Sequence, residues 1–248
     1  MKRILFSCLF SLLVLPTWAQ VPDPSEGTTA SGPAIVTSDS SVGQRLSSWR
    51  FSIQAGKAFL PGKIQDGLDE RMIQYYKRLK WGWSAGADIT YFLSEALGVG
   101  VKFNNVHVAS EVPVDLYDNG WYAGARTLQE NIDLSFAGPM LSYQWVGQDR
   151  KHAFYLNSGM GYLRYRNAGF FLVPITETGA TVGYLTELAY DLRLPRRWSA
   201  GLSLNLISGI LRGYTLSTDG QKQDVQLEQN DYIGLTQITL SVGLRRLF

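Results

Sequence analysis

The closing stretch, residues 231–248, constrains the fold more than any other part of the chain. Every second side chain from Tyr232 is mostly apolar, whereas the intervening ones become small and polar toward the end. This period of two is the signature of a β-strand with one face in an apolar environment. The strand runs to the final residue, Phe248, and an aromatic residue at that position is typical of the strand that closes a transmembrane β-barrel.

The N-terminus predicts an exported chain. Lys2 and Arg3 precede an apolar run, and small residues lead to a cleavage site after Ala19. We therefore interpret residues 1–19 as a signal peptide, residues 20–47 as a flexible periplasmic segment rich in Ser, Thr, Gly and Pro, and residues 48–248 as the barrel. The alternative, an N-terminal membrane anchor, would need about 20 apolar residues, and the run is too short.

Charge and cysteine content exclude several function classes. The chain has 23 Lys and Arg against 21 Asp and Glu, and cleavage would remove two of the basic residues. A nearly neutral chain without a basic patch argues against a nucleic-acid partner. The single cysteine, Cys8, lies in the predicted signal peptide, which leaves no disulfide or thiol chemistry in the mature chain.

Eight stretches with period two follow one another, separated by connections that alternate between about 4–5 and about 11–20 residues. This alternation predicts an all-β fold, an eight-stranded antiparallel up-and-down transmembrane β-barrel with short periplasmic turns and long extracellular loops. In the fourth strand the apolar parity shifts between Ile132, Leu134 and Phe136 on one side and Leu141 on the other. We expect a β-bulge at Gly138 and Pro139 to explain this shift, with all four apolar residues facing the lipid.

Aromatic residues cluster at the two ends of the lipid-facing parity, as expected for girdles at the membrane interfaces. The predicted girdle residues are Trp49, Trp81, Trp83, Tyr91, Tyr143, Trp145, Phe154, Tyr190, Trp198 and Phe248.

The opposite parity is polar and predicts the content of the lumen. A barrel of eight strands is only wide enough for its interior to be filled by side chains, so we expect a packed plug of paired charges. The predicted polar network comprises Arg50, Asp88, Lys102, Asp133, Glu187, Asp191 and Arg245, with Asp88 and Lys102 as direct cross-strand neighbours. A transport or proton path through the same residues is the alternative.

Residues for catalysis or metal binding are sparse. His107 and His152 lie on opposite sides of the predicted membrane and cannot share a metal ion. A hydrolase or acyltransferase at the outer rim would have to combine His107 with Ser110, Glu111, Asp115 or Asp118. We predict no catalytic residue, no metal site and no cofactor.

The signal-peptide junction at Ala19, the amphipathic hairpin of residues 83–101 and the closing residues 238–248 resemble the small outer-membrane β-barrel proteins of the OmpA and OmpX type. Arg246 departs from the aromatic residue that such termini more often carry at this position. The resemblance implies a location in the outer membrane among its lipids and insertion by the barrel-assembly machinery. It does not imply a particular activity, because a fold does not fix a function.

We expect a non-enzymatic integral outer-membrane protein with a side-chain-filled polar lumen, whose surface loops serve binding, adhesion or envelope integrity. The first alternative is a narrow porin-like pore for small solutes or ions, and the second is a lipid-modifying enzyme. An extracellular ligand would meet the aromatic residues predicted for the loops: Tyr75, Tyr76, Tyr117, Trp121, Tyr122, Phe170 and Phe171.

Overall fold

The computed structural model describes residues 49–62, 67, 69–118, 121–170, 173–229 and 231–248, without the side chains of 114–118, 121–123, 125 and 126. The predicted signal peptide and N-terminal segment, residues 1–47, lie outside the described residues. The strands are β1 (Trp49–Phe59), β2 (Trp81–Phe92), β3 (Leu97–Asp118), β4 (Trp121–Val146), β5 (His152–Phe170), β6 (Pro174–Arg193), β7 (Trp198–Leu211), β8 (Gly213–Thr218), β9 (Gln221–Gln226), β10 (Ile233–Gly234) and β11 (Gln237–Leu247). One α-helix, α1 (Glu70–Leu79), and a 3₁₀ turn at Pro195–Arg197 complete the described elements.

Eight of these strands close into a ring. Each of β1 to β6 pairs antiparallel with the next strand, β7 pairs with β11, and β11 returns to β1. The first and last strands meet at Arg50 and Leu247, and the Phe248 N–H donates to the Trp49 carbonyl at 2.9 Å. The predicted eight-stranded antiparallel barrel is therefore confirmed, and its closure explains why the chain remains a strand to its end.

The two ends of the barrel differ as predicted. Tight turns connect β2 to β3, β4 to β5 and β6 to β7 at one end, whereas at the other end the chain extends well beyond the ring between successive strands. The long connections are less irregular than the predicted loops, because β3–β4 and β5–β6 continue as extended hairpins. Between β7 and β11 the chain forms a further hairpin, β8–β9, with Asp219 and Gly220 at positive φ in its two-residue turn.

Helix α1 was not predicted from the sequence. It begins after Asp69, whose carboxylate accepts the N–H of Glu70 at 2.8 Å, and it ends beside the basic residues Lys77 and Arg78. Acidic groups at the start and basic groups at the end suit the helix dipole. Its apolar face buries Tyr75 and Leu79 against the barrel.

The predicted shift of parity in β4 is wrong. Leu134 and Phe136 face the interior, Leu141 faces outward, and the alternation is continuous between them. The β4–β5 ladder is interrupted at Gly138 and Pro139. Two residues are skipped on each strand, so inward and outward side chains keep their alternation across the gap. Proline has no N–H for the ladder, which accounts for an interruption without a bulge.

What changes along β4 is the polarity of the two faces. Phe103, Ala137 and Tyr162 share one row of β3–β5 and face outward, as expected for a lipid-facing wall. In the next outward row toward the hairpin end, the residues are polar: Asn105, Ser135 and Arg164. The interior behind this second zone is apolar. The barrel wall therefore extends beyond the hydrocarbon layer, where its outer face meets polar surroundings and its core must be apolar.

Candidate functional site

The interior near the short-turn end is crossed by Arg50. Its guanidinium donates to Asp88 on β2 at 3.1 Å and to Asp191 on β6 at 3.2 Å. The same group lies 4.2 Å from the ring centroid of Tyr155 on β5, the strand diametrically opposite β1 in the eight-stranded ring. Arg50 therefore joins both walls of the barrel and occupies the path between them.

Lys102 and Glu187 form a second link across the lumen. The Lys102 ammonium donates to Glu187 and lies 3.7 Å from a carboxylate oxygen of Asp88. Glu187 also accepts from Asn157 at 2.6 Å and from Gln54 at 3.5 Å. Both charged side chains are almost completely buried, so their pairing and hydrogen bonding offset the cost of desolvation.

Arg245 completes the layer at 3.1 Å from Asp191. The described part of the barrel thus buries three cations against three carboxylates, and the interior charge is balanced. Six of the seven residues predicted for the polar network lie here, and Asp88 faces Lys102 in the register as predicted. Tyr155, which closes the contact with Arg50, was missed, although its inward parity on β5 was available from the sequence.

Asp133 does not belong to this network. It faces outward on β4, where its carboxylate lies 2.8 Å from Nδ1 of His107. The prediction was wrong because it rested on the shift of parity at Gly138 and Pro139, which the structure does not contain.

The interior toward the hairpin end is apolar, which corrects the expectation of a polar lumen throughout. Side chains from β3 to β7 and from the segment before β11 fill it: Val106, Val108, Leu134, Phe136, Leu163, Leu185, Ile207, Leu211 and Leu235. Helix α1 packs Tyr75 and Leu79 onto this cluster, and the Tyr75 carbonyl accepts from Ser110 at 3.4 Å. A charged layer and an apolar layer thus fill the barrel in succession.

The aromatic residues predicted for the loops differ in their exposure. Tyr75 was expected to be available to a ligand, but only 2% of it is exposed because it packs into the apolar layer. Tyr76 and Phe170 are exposed. The backbone of Tyr117, Trp121 and Tyr122 lies in the β3–β4 hairpin, their side chains are outside the described part, and Phe171 lies outside the described residues.

The rim beside α1 holds an unusual carboxyl group. Glu130 on β4 lies near the Tyr75 hydroxyl and near Glu177 on β6, above the charged interior layer. Burial raises the pKa of Glu130, the hydrogen bond of the Tyr75 side chain opposes this, and the neighbouring charge of Glu177 raises the pKa further. Because burial is the largest of these effects, the folded rim binds a proton at Glu130 more readily than the unfolded chain does.

The predicted girdle residues all lie on the outward face. Trp49 packs on Tyr91 with ring centroids 4.9 Å apart, and Tyr143 packs on Trp145 at 4.3 Å. Tyr190 is half-buried, because its hydroxyl lies 2.6 Å from Nδ1 of His152. At the other end, Trp81 and Trp83 are 60% and 64% exposed, a degree that suits rings lying in a membrane interface. The remaining members, Phe154, Trp198 and Phe248, are exposed near the short turns.

In the described residues, the side chains that a hydrolase would need do not lie close together. Ser110 faces the interior and His107 faces outward, on opposite sides of β3, so the two cannot act together. Glu111 is exposed on the outward face, and the side chains of Asp115 and Asp118 are not described. Within the described ranges no group of His, Cys, Asp and Glu side chains is suited to a metal ion. None of the described helices is both long and apolar enough to span a membrane.

No protein-family profile matches the chain, and no curated protein matches it either. Among solved structures, a major outer membrane protein from Thermus thermophilus is 15% identical, with 81% of this chain and 99% of that chain covered and a TM-score of 0.49. Neisserial surface protein A is 11% identical over 82% of this chain and 98% of its own, with a TM-score of 0.47. The outer membrane protease OmpT from Escherichia coli is 8% identical over 68% of this chain and 65% of its own, with a TM-score of 0.43. The chain is thus similar to small outer-membrane β-barrel proteins, at identities that assign no activity.

Proposed function

We propose that this protein is an integral outer-membrane β-barrel that does not conduct solutes and that acts through the hairpins at its outer rim in binding or adhesion. One observation carries the proposal: the interior is occupied along its length, by the bridge from Arg50 to Tyr155 in one layer and by the apolar cluster beneath α1 in the other. Between the two aromatic girdles the outward face of the wall is apolar, which supports the location in a membrane.

The hairpin end supports a role in binding. The β3–β4 hairpin continues well beyond the row of Asn105 and Ser135, where the outward wall becomes polar, and β8–β9 adds a further polar hairpin. Extended strands hold a surface in place better than irregular loops, which lowers the entropy lost when a partner binds. The signal peptide would deliver the chain to the envelope, and the barrel-assembly machinery would then insert it among the membrane lipids by way of β11.

Conductance in planar lipid bilayers separates this proposal from the narrow pore. We expect the purified protein to show no steady openings, and frequent steady openings would overturn the closed interior. Tyr155→Ala removes the ring that meets Arg50. The apolar layer still fills the barrel at the next level, so this variant should also show no steady openings. Phe154→Ala is the matched control, since it truncates the neighbouring side chain on the lipid-facing side of the same strand.

The adhesive role and the enzymatic alternative need separate tests. Cutting the β3–β4 hairpin back to a tight turn beyond Val112 should leave a folded barrel and abolish the adherence that expressing cells gain over non-expressing cells. Lipid turnover by purified protein that disappears in His107→Ala would favour the lipid-modifying enzyme instead. The rim proposal expects no such turnover.

A further inference from the structure

The outer wall of β4 and β5 presents a basic site just beyond the aromatic residues of the hairpin end. Arg164 and Arg166 project from the same outward face of β5, two residues apart and therefore about 7 Å from one another. Both are exposed, and the described residues place no carboxylate in an ion pair with either. The pair lies just beyond the lipid-facing row, where the anionic headgroups of a membrane attract basic side chains.

The height of the pair identifies the layer that it meets. Tyr162, two residues earlier on the same face, is 58% exposed and is the aromatic residue of β5 that directly precedes the polar row. With the strand tilt of a small barrel, Arg164 and Arg166 lie about 5 and 10 Å beyond that ring along the membrane normal. The polar headgroup layer of one leaflet is roughly 5–8 Å thick beyond the hydrocarbon. Arg164 therefore lies within the headgroup layer, and Arg166 lies at its outer edge, from where its long side chain can reach back to a lipid phosphate.

The surroundings of Arg164 are compatible with a bound anion. Its cross-strand partners are Ser135 on β4 and Ala180 on β6, and neither carries a charge. The Ser135 hydroxyl accepts from Asn105 at 2.8 Å and keeps its own hydrogen for another acceptor. Arg166 lies opposite Asp133 on β4 and Thr178 on β6, and the Asp133 carboxylate is engaged from the β3 side by His107 at 2.8 Å.

We propose that Arg164 and Arg166, with the Ser135 hydroxyl, bind the phosphate of a lipid headgroup in the leaflet at the hairpin end. Planar guanidinium groups match phosphate oxygens through paired N–H donors, which a lysine ammonium cannot reproduce. The lipid-facing position favours a phosphate carried by a membrane lipid over one free in solution. This inference rests on the membrane location in the proposed function and adds the chemical class of a bound lipid.

Native mass spectrometry of the detergent-solubilised full chain, titrated with phosphatidic acid and separately with phosphatidylcholine, tests the site. We expect tighter binding of phosphatidic acid, and we expect the double variant Arg164→Gln/Arg166→Gln to weaken it about 30-fold, from a contribution of roughly fivefold per arginine. Arg164→Lys/Arg166→Lys should fall between the two. The matched control is Arg212→Gln/Lys222→Gln, which removes two cations from the same end of the barrel outside this site and should leave the affinity within about twofold.

Unchanged affinity in Arg164→Gln/Arg166→Gln, with a folded barrel verified by its mobility on unheated gels, would overturn the proposal. Displacement of phosphatidic acid by an equal concentration of inorganic phosphate would overturn the assignment to a lipid. Failure of the proposed function is distinguishable from both. A chain that dissolves without detergent or conducts steadily would contradict the closed membrane barrel, whereas equal lipid binding by a closed, inserted barrel would contradict this inference alone.

Discussion

Glu187→Gln should destabilise the barrel strongly, because it removes a charge from a balanced interior without changing its shape. Glu187 is 1% exposed, and it is the nearest carboxylate to Lys102, which is fully buried. In the variant the amide still fills the space between Asn157 and Gln54. Lys102 is left with Asp88 at 3.7 Å, an acid that already accepts from Arg50.

The magnitude follows from the charge count. Three buried cations would face two carboxylates, and breaking a buried ion pair by removing one partner costs about 3–5 kcal/mol. A second change should recover most of that loss: Lys102→Met in the Glu187→Gln background leaves two arginines against Asp88 and Asp191. Removing both members of a buried pair is often close to neutral, since no uncompensated charge remains.

Equilibrium urea unfolding in phosphatidylcholine vesicles, followed by tryptophan fluorescence, measures these differences as a shift in the midpoint at constant slope. Thr186→Val is the control, because it alters the adjacent residue on the lipid-facing side of β6 and should change stability by less than about 0.5 kcal/mol. Two results would refute the reasoning. One is a loss in Glu187→Gln no larger than that in Thr186→Val, and the other is a double variant as unstable as the single one.

Three further predictions concern other parts of the barrel. In Gly56→Ala the added methyl group would overlap the Leu240 carbonyl on the neighbouring strand, and the free energy of unfolding in the same assay should fall by about 1–3 kcal/mol. In Gly234→Ala the methyl group meets open space, and the loss should be less than about 1 kcal/mol. Arg197 adopts a left-handed backbone conformation at φ 62°, so Arg197→Asn should raise the stability by about 0.5 kcal/mol, measured likewise. Because burial raises the pKa of Glu130 from its ordinary 4.5, the stability that it contributes is complete below that value and is lost as pH rises through the folded-state pKa. Amide hydrogen exchange in α1, corrected for intrinsic rates, should therefore accelerate over that range in the wild type and stay flat in Glu130→Gln.

Much of the fold could be predicted because every strand of a barrel follows the same alternation of inward and outward side chains. Strand periodicity, the alternation of connection lengths and an aromatic closing residue are all local properties, and together they determined the eight-stranded ring. The pairing of Asp88 with Lys102 followed from the short turn between β2 and β3, which sets the register. The link from Arg50 to Tyr155 could not be predicted in this way. It joins strands that are far apart in sequence, and their separation across the lumen depends on the closed geometry of the whole sheet.

Helix α1 escaped prediction for a related reason. Its residues form a short, strongly charged segment in which Tyr75 and Leu79 are the buried members. Isolated helices of this length are marginal, so the helix depends on the apolar layer onto which it packs. Without knowledge that the barrel interior is apolar at that level, the sequence offered no partner for these two residues, and Tyr75 was assigned to an exposed loop.

The error in β4 has the same origin and shows how such strands are to be interpreted. The prediction assumed that apolar residues point outward along the whole strand, and so Leu134 and Phe136 required a bulge. The apolar parity of a strand instead reports which side faces the less polar surroundings at that height. In β3, β4 and β5 the apolar side chains change from the outward face to the inward face at the same row of the sheet, beyond Phe103, Ala137 and Tyr162. The alternation of inward and outward residues along each strand is unbroken there. A simultaneous reversal in neighbouring strands cannot come from independent bulges, so it marks the level at which the barrel wall leaves the hydrocarbon.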